Sequence, residues 1–139
     1  MKRRDSQANK VYRAGNLIAD GFTFDSLPQV QEYVNGITKS NPWQAWGGQN
    51  RVLVTEPKQD GFASACRTNR IRLPKWAWNE RVILHELAHL LTYKPCNPAP
   101  HDASFAGKFL QLIGWQMGTT VQLKLIKYYG VIKVKYHTE

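Results

Sequence analysis

The segment Asn79-Glu-Arg-Val-Ile-Leu-His-Glu-Leu-Ala-His-Leu-Leu-Thr-Tyr93 decides how this chain folds. Asn79 is a good helix N-cap, and Glu80 places a negative charge in the first turn, where the helix dipole favours it. The apolar residues between Val82 and Leu91 cover nearly the whole circumference, which is typical of a helix buried at the centre of a domain. We therefore predict a central helix from Asn79 to about Tyr93.

This helix carries His85-Glu86-Leu87-Ala88-His89, an H-E-x-x-H motif. Residues four apart on a helix differ by about 40° in azimuth and about 6 Å in rise, so both histidines can bind one metal ion. Glu86 lies about 100° round from His85, which leaves it free to act as a general base on a water held by the ion. Zinc is the expected metal, because neutral imidazole binds it well and a catalytic site leaves one position open. A metal also removes the free-energy cost of burying these polar side chains without partners.

The third metal ligand is sought among the side chains downstream of this helix. Between Leu87 and Thr138 the only acidic residue is Asp102, so the downstream glutamate ligand of many H-E-x-x-H enzymes is missing. The tight H-E-x-x-H-x-x-G-x-x-H spacing is missing too. The remaining candidates are His101, Asp102, Cys96 and His137.

Among these candidates, His101 is favoured, because it begins a new helix after a proline-stiffened loop that is long enough to fold back on the site. Asp102 is better interpreted as a helix N-terminal charge, or as a partner that orients an imidazole. Cys96 stays open as a ligand or as a thiol switch on the metal. His137 is predicted to lie on the surface.

The regions around the central helix predict an α+β fold. A helix capped by Ser26, with Gln29 completing a capping box, is expected to end at Asn41-Pro42. Three short strands follow, and their short connections predict an antiparallel meander with Pro74 on its edge. They are listed as 51–55, 62–66 and 70–73.

Two further helices are predicted after the central one. The first begins near His101 and is weakened by Gly114, and the second covers about 119–129 and ends at Gly130. The segment 131–136 alternates like a final strand. The predicted architecture is a small antiparallel sheet packed on the H-E-x-x-H helix, with two or three further helices.

Length and composition bound the class of protein. A chain of 139 residues with 42% hydrophobic content suits one domain, predicted over 1–139 with 1–10 flexible. The net charge of +9 is spread along the chain, which predicts at most a weak contact with nucleic acid.

The cellular location of the protein is predicted from two kinds of segment, a membrane span and a secretion signal. No apolar run reaches the length of a membrane span, and the basic start is not followed by the apolar part of a secretion signal. Cys66 and Cys96 are too few for a disulfide framework and are predicted to be reduced thiols. The expected location is the cytoplasm, or the host cytoplasm if a phage encodes the chain, unless a route such as a phage lysis system exports it.

The motif and its surroundings resemble the SprT-like and other minimal zincin metallopeptidases, in which H-E-x-x-H is followed by His-Gly-x-x-Phe on the next helix. His85, Glu86 and His89 match the first part. The stretch from His101 to Phe105 matches the second, with an aspartate where the glycine would be. The resemblance covers about residues 80–110 and implies zinc peptidase chemistry. It also implies DNA-associated substrates, although two cysteines cannot form a C-terminal zinc ribbon.

More narrowly, the chain resembles a short H-E-x-x-H metallohydrolase family of actinobacteria and their phages. The opening Ala8-Asn-Lys-Val-Tyr12 and the Val-x-Val strand before the central helix carry this likeness. It spans most of the chain and does not identify a substrate.

The function predicted from the sequence is that of a zinc-dependent hydrolase, a metallopeptidase that cleaves peptide or protein substrates with Glu86 as general base. Two alternatives stay open: a basic DNA-associated protein with a mainly structural zinc, and a partner-binding zincin scaffold without catalysis. A purely structural site would not need Glu86 and would usually fill its fourth position with Cys or His.

Two details of the predicted reaction concern the substrate. The edge strand 70–73 is a candidate for holding an extended peptide by β-addition, although a plain structural strand explains it equally well. An electrophile that stabilises the oxyanion is also expected. Tyr93, Arg72 and His137 are candidates for this role, and the sequence does not choose among them.

Overall fold

A computed structural model of the protein describes residues 5–58, 61–66, 69–94 and 99–138. Within these ranges the fold is α+β, as predicted, and none of the helices is both long and apolar enough to cross a membrane. In chain order, the elements are α1 (Ala8–Gly15), α2 (Leu27–Thr38), α3 (Asn41–Ala45), β1 (Leu53–Thr55), β2 (Ser64–Cys66), β3 (Arg70–Arg72), a short 3-10 helix (Lys75–Ala77), α4 (Glu80–Thr92), α5 (Ala103–Met117) and α6 (Thr119–Ile132).

Helix α4 forms where the sequence predicts the central helix. The Asn79 side chain caps it by accepting a hydrogen bond from the Val82 N–H at 3.0 Å. Helix α4 packs against α5 and against β2. Its residues Ile83, Leu84 and Leu87 have no exposed surface, which confirms that this helix is buried in the core.

The start of α4 is fixed by the segment that precedes α2. Glu80 is only 4% exposed, and it accepts hydrogen bonds from the Phe22 N–H at 2.9 Å and from the Tyr33 hydroxyl at 2.7 Å. A β-bridge between Thr23 and Asn79 lies beside these bonds. Because a buried carboxylate needs such partners, this network holds the N-terminus of α4 against α2.

The sheet is mixed, so the predicted antiparallel meander is wrong. Its strand order is β1-β3-β2, with β1 and β3 parallel and β2 and β3 antiparallel. The predicted edge strand 70–73 is therefore the central strand. Burial explains this position, because Ile71 and Leu73 are fully buried and a strand with neighbours on both sides best accommodates such residues. Pro74 lies beyond the last residue of β3 and removes no N–H from the ladder.

The final strand, predicted over 131–136, is also wrong. Helix α6 continues until Lys133, whose φ of 68° is left-handed. The main chain beyond it bonds to the N-terminal region, where the Lys135 N–H donates to Gln7 Oε1 at 2.9 Å. The alternating pattern instead reflects the burial of Val134 against the core.

Helix α1 brings the N-terminal segment onto the fold. The sequence predicts flexibility over 1–10, and residues 1–4 of that range lie outside the described residues. Helix α1 begins at Ala8 and packs on α6 with Val11 only 1% exposed. The Gln7 side chain, just before α1, also donates to the Lys135 carbonyl at 2.9 Å. The segment before α1 is therefore held against the main chain that follows α6.

Candidate metal centre

His85 and His89 lie one turn apart on α4, with their ring centroids 5.0 Å apart. His85 is only 9% exposed, and the rings of Phe105 and Phe109 on α5 pack edge-on to it at 4.9 and 5.6 Å between centroids. The Phe105 ring also stacks on His89 at 4.3 Å. This aromatic wall, built where α4 packs on α5, restricts the orientation of both imidazoles.

The third histidine comes from the turn before α5. Asp102 caps α5 by accepting a hydrogen bond from the Phe105 N–H at 3.0 Å, so the helix begins at Ala103, two residues after His101. His101 Nε2 lies 3.1 Å from His89 Nε2. One ring nitrogen from each of His85, His89 and His101 lies within 4.8 Å of the others. The structure thus brings the three predicted ligands together, and the group can hold a metal ion.

The polar atoms of these histidines fit an ion. The Nε2 atom of His85 is buried and has no hydrogen-bond partner among the described residues, an arrangement that folded proteins normally avoid. Two imidazole nitrogens bound to one tetrahedral zinc ion at about 2.0–2.1 Å lie about 3.4 Å apart. The 3.1 Å distance between His89 Nε2 and His101 Nε2 is close to this spacing. An ion bound by His85 Nε2 would also give this nitrogen a partner.

Burial determines the protonation state of His85 and His89, because it lowers the pKa of both side chains. It lowers the pKa of His85 well below its ordinary value of 6.5, with further lowering by His89 and His101. Burial, followed by the effect of His101, lowers the pKa of His89 to about 3. Both imidazoles are therefore neutral near pH 7, which is the form that binds a metal.

Glu86 lies beside the histidines and lines the same cleft. It is 5% exposed, and burial raises the pKa of its carboxyl to about 8. A cation held by the three histidines would favour the ionised carboxylate, because the two charges attract. A carboxylate with a raised proton affinity near a cleft has the properties of a general base.

Asp5 is a member of the site that the sequence did not indicate. Its Oδ2 atom accepts a hydrogen bond from His101 Nδ1 at 2.8 Å, and its Oδ1 atom accepts one from the His101 N–H at 3.3 Å. These residues are 96 positions apart, so no local spacing could have related them. The carboxylate can only accept, and it therefore requires the proton of neutral His101 to be on Nδ1.

Tyr12 is a second residue that the sequence did not indicate as functional. Its ring stacks on His85 with centroids 5.2 Å apart and lies 4.9 Å from that of His101. Burial, then the carboxylates of Glu86 and Asp5, raise the pKa of Tyr12 above its ordinary value of 10. Its hydroxyl is therefore a proton-bearing donor near neutral pH, at the wall of the cleft that Glu86 lines.

The centre opens into a cleft of about 530 Å³. One wall contains Ala63, Ser64 and Ala65 of the β2 region, and the end of α4 contributes Thr92 and Tyr93. The cleft therefore runs between the metal centre and an edge of the sheet.

The remaining predicted site residues lie in different places. Tyr93 lines the cleft and is 47% exposed. Arg72 is exposed on β3 and is not among the residues that line the cleft. His137 is exposed, as predicted, and its N–H donates to the Ala103 carbonyl at 3.0 Å.

Cys96 is the cysteine that the sequence offers as an alternative metal ligand. The alternative ligand Cys96 lies outside the described residues, and Cys66 is described only as part of β2. Among the described residues, the group that can hold a metal contains the three histidines and no cysteine.

Comparisons of the chain with protein-family models, with curated proteins and with solved structures find no match. The resemblance to SprT-like and other zincin metallopeptidases, and to the short family of actinobacteria and their phages, stays a prediction. Function is therefore inferred from the chemistry of the centre itself.

Proposed function

We propose that this protein is a zinc-dependent peptidase with zincin-like packing of the metal helix, in which His85, His89 and His101 hold the ion and Glu86 is the general base. One observation carries the proposal. Three histidine nitrogens converge within 4.8 Å beside the buried carboxyl of Glu86, at the wall of a cleft. A structural metal site would have no use for a buried carboxyl and an open cleft at this place.

The side chains divide the proposed reaction among them. A zinc ion held by His85, His89 and His101 would lower the pKa of a water to about 7 and would polarise a carbonyl group. Glu86 accepts the proton of the attacking water and later delivers it to the leaving amine. The aromatic wall formed by Phe105 and Phe109 keeps solvent away from His85. His89 and His101, like Glu86, line the cleft where a substrate would bind.

Tyr12 is proposed to donate its hydroxyl hydrogen to the oxyanion. Its ring lies against His85 and His101, and it lines the cleft together with Glu86. Of the three candidates named from the sequence, only Tyr93 also lines the cleft. Tyr12 is favoured over Tyr93 because its ring contacts two of the metal-binding histidines.

Replacing Tyr12 with Phe is expected to lower kcat about a hundredfold, since an oxyanion donor typically contributes this much. The phenyl ring keeps the stacking contact with His85, so zinc content should not change. Tyr93→Phe is the matched control, because both tyrosines line the cleft and both are 47% exposed. Steady-state kinetics on one peptide substrate would compare them. A larger loss in Tyr93→Phe than in Tyr12→Phe would transfer the role to Tyr93.

The edge of the sheet supports a peptide as the substrate. The residues on either side of β3 bond to β1: the Leu53 N–H donates to the Asn69 carbonyl at 2.9 Å, and the Leu73 N–H donates to the Thr55 carbonyl at 2.8 Å. Main-chain N–H and C=O groups point to opposite sides at successive residues of a strand, so those of Arg70 and Arg72 point toward β2. Ala65 of β2 lies opposite Ile71, whose N–H and C=O point the other way, toward β1.

Consequently the Ala65 N–H and C=O point away from β3. Because Ala65 also lines the cleft, its main chain can pair with an extended peptide by β-addition. The docking strand is thus β2, in place of the segment 70–73 named from the sequence.

Replacing Ala65 with Pro is expected to lower kcat/KM for peptides about tenfold, because proline removes the outward N–H and one hydrogen bond to the substrate. Zinc content should stay unchanged. Ala65→Ser keeps the N–H and is the matched control. The peptide hydrolysis assay would decide, and equal kcat/KM for both variants and the wild type would exclude docking on this edge.

The proposed function itself is tested by metal analysis combined with hydrolysis. We expect about one zinc per chain by elemental mass spectrometry, and cleavage of a mixed peptide library detected by mass spectrometry. Treatment with a chelator should abolish cleavage, and added zinc should restore it. Bound zinc without cleavage of any peptide would favour the non-catalytic alternatives, whereas absence of any bound divalent metal would overturn the metal centre.

A further inference from the structure

We propose that Asp5 is a positioning residue for the metal, and that through it the N-terminal segment forms part of the metal centre. The inference rests on the proposed function only in that the three histidines bind zinc. It assigns a role to a residue that lies far from the H-E-x-x-H motif in sequence. The observation behind it is the pair of hydrogen bonds between Asp5 and His101.

The two hydrogen bonds fix His101 in two ways. The bond from Nδ1 to Asp5 Oδ2 at 2.8 Å sets the tautomer and the rotation of the ring. The bond from the His101 N–H to Asp5 Oδ1 at 3.3 Å holds the main chain just before α5. A His101 ring that binds a metal through Nε2 would carry its proton on Nδ1, the nitrogen that faces Asp5, and its Nε2 atom lies 3.1 Å from His89 Nε2. A carboxylate bonded to the far nitrogen of a metal-binding histidine also raises the basicity of the ligand.

The burial of this contact favours a specific role over a surface ion pair. The side chain of His101 is 9% exposed and that of Asp5 is 23% exposed. A loose surface pair would contribute little, whereas here one partner is almost fully enclosed. Asp5 is also the carboxylate that the structure places on His101, while the Asp102 carboxylate caps α5 through the Phe105 N–H.

Asp5 is held in place by the segment that follows it. The Ala8 N–H donates to the Asp5 carbonyl at 3.2 Å. Gln7 exchanges two hydrogen bonds with the main chain of Lys135, each 2.9 Å long. Tyr12, on the next turns of α1, stacks on His85. The N-terminal segment therefore contacts two of the three histidines, and binding of the metal should be coupled to the docking of this segment in both directions.

The test is the zinc affinity of Asp5→Ala and Asp5→Asn, measured by competition with a chromophoric chelator. Loss of such a carboxylate typically weakens metal binding 10–100-fold, and we expect about this change in Asp5→Ala. Asp5→Asn keeps an oxygen that can accept from Nδ1 and should lose less. Asp25→Ala, which removes an exposed carboxylate elsewhere, is the control and should bind like the wild type.

A second measurement separates positioning from a general structural role. Histidine-selective ¹⁵N NMR of the metal-free protein should show His101 with its proton on Nδ1, and Asp5→Ala should shift the proton toward Nε2. Circular dichroism and thermal unfolding would establish that the variants fold. Asp5→Asn, which is nearly isosteric, keeps the test usable if Asp5→Ala does not fold.

The outcomes are distinguishable. If the wild type binds zinc and both variants bind it equally well with His101 unchanged, the role of Asp5 is refuted while the metal centre stands. If the wild type binds no zinc, the proposed function and the role of Asp5 fail together. A 10–100-fold weaker affinity with a changed tautomer supports the proposal.

Discussion

Replacing Glu86 with Gln is expected to lower kcat about a thousandfold while the protein keeps its zinc. A positioned general base contributes about 10²–10⁴-fold to the rate, and the amide cannot accept the proton of the attacking water. The three candidate metal ligands are histidines and do not include Glu86, so the zinc content of the variant should not fall. Because the buried carboxyl of Glu86 has its pKa raised to about 8, a neutral side chain of the same size should not lower the free energy of unfolding.

The measurement for Glu86 is steady-state peptide hydrolysis, with elemental analysis of the same sample. Glu32→Gln makes the same chemical change at an exposed position and should leave kcat unaltered. Activity of Glu86→Gln within a few-fold of the wild type would exclude Glu86 as the base. Loss of zinc from this variant would instead make Glu86 a ligand.

Replacing His89 with Ala is expected to remove the metal. Structural zinc sites bind with about 10–16 kcal/mol, so each of three or four ligands contributes about 3 kcal/mol, which is more than a hundredfold in affinity. The His85→Ala variant should behave alike, since its Nε2 atom has no other partner among the described residues. Both variants should also lose the stabilisation by added zinc that the wild type shows, about 2.7 kcal/mol at a free concentration a hundred times Kd.

Zinc stoichiometry and the shift of the unfolding temperature with added zinc are the two readouts for these variants. His137→Ala is the control, because His137 is exposed and bonds to α5 through its main chain. Its zinc content should equal that of the wild type. Retention of stoichiometric zinc by His89→Ala would show that the ion binds elsewhere.

The parts of the centre that could be predicted from the sequence are those set by local geometry. Helical spacing alone relates His85, Glu86 and His89, and Asn79 indicates where that helix begins. The choice of His101 depended on the shortage of other candidates after the motif, and the structure places this residue beside His89.

The parts that could not be predicted depend on contacts between distant segments. Nothing in the spacing of Asp5 and Tyr12 relates them to α4 or to α5, and only the packing of α1 brings them there. The prediction of the strand order was wrong for a similar reason. The apolar alternation of 70–73 suits a central strand as well as an edge strand. Segment 131–136 alternates as well, but its alternation follows the burial of Val134.

The contact between His89 and His101 has a consequence for the unfolded chain. His89 belongs to α4, and His101 lies 12 positions further on, in the turn before α5, so an ion bound by both would close a short loop and join α4 to the start of α5. A covalent cross-link around a loop of about 15 residues removes denatured-state entropy worth about 3 kcal/mol. A metal acts as a reversible cross-link of the same kind, so the proposed ion would also limit the separation of α4 from α5, the two helices that pack together beside the candidate metal centre.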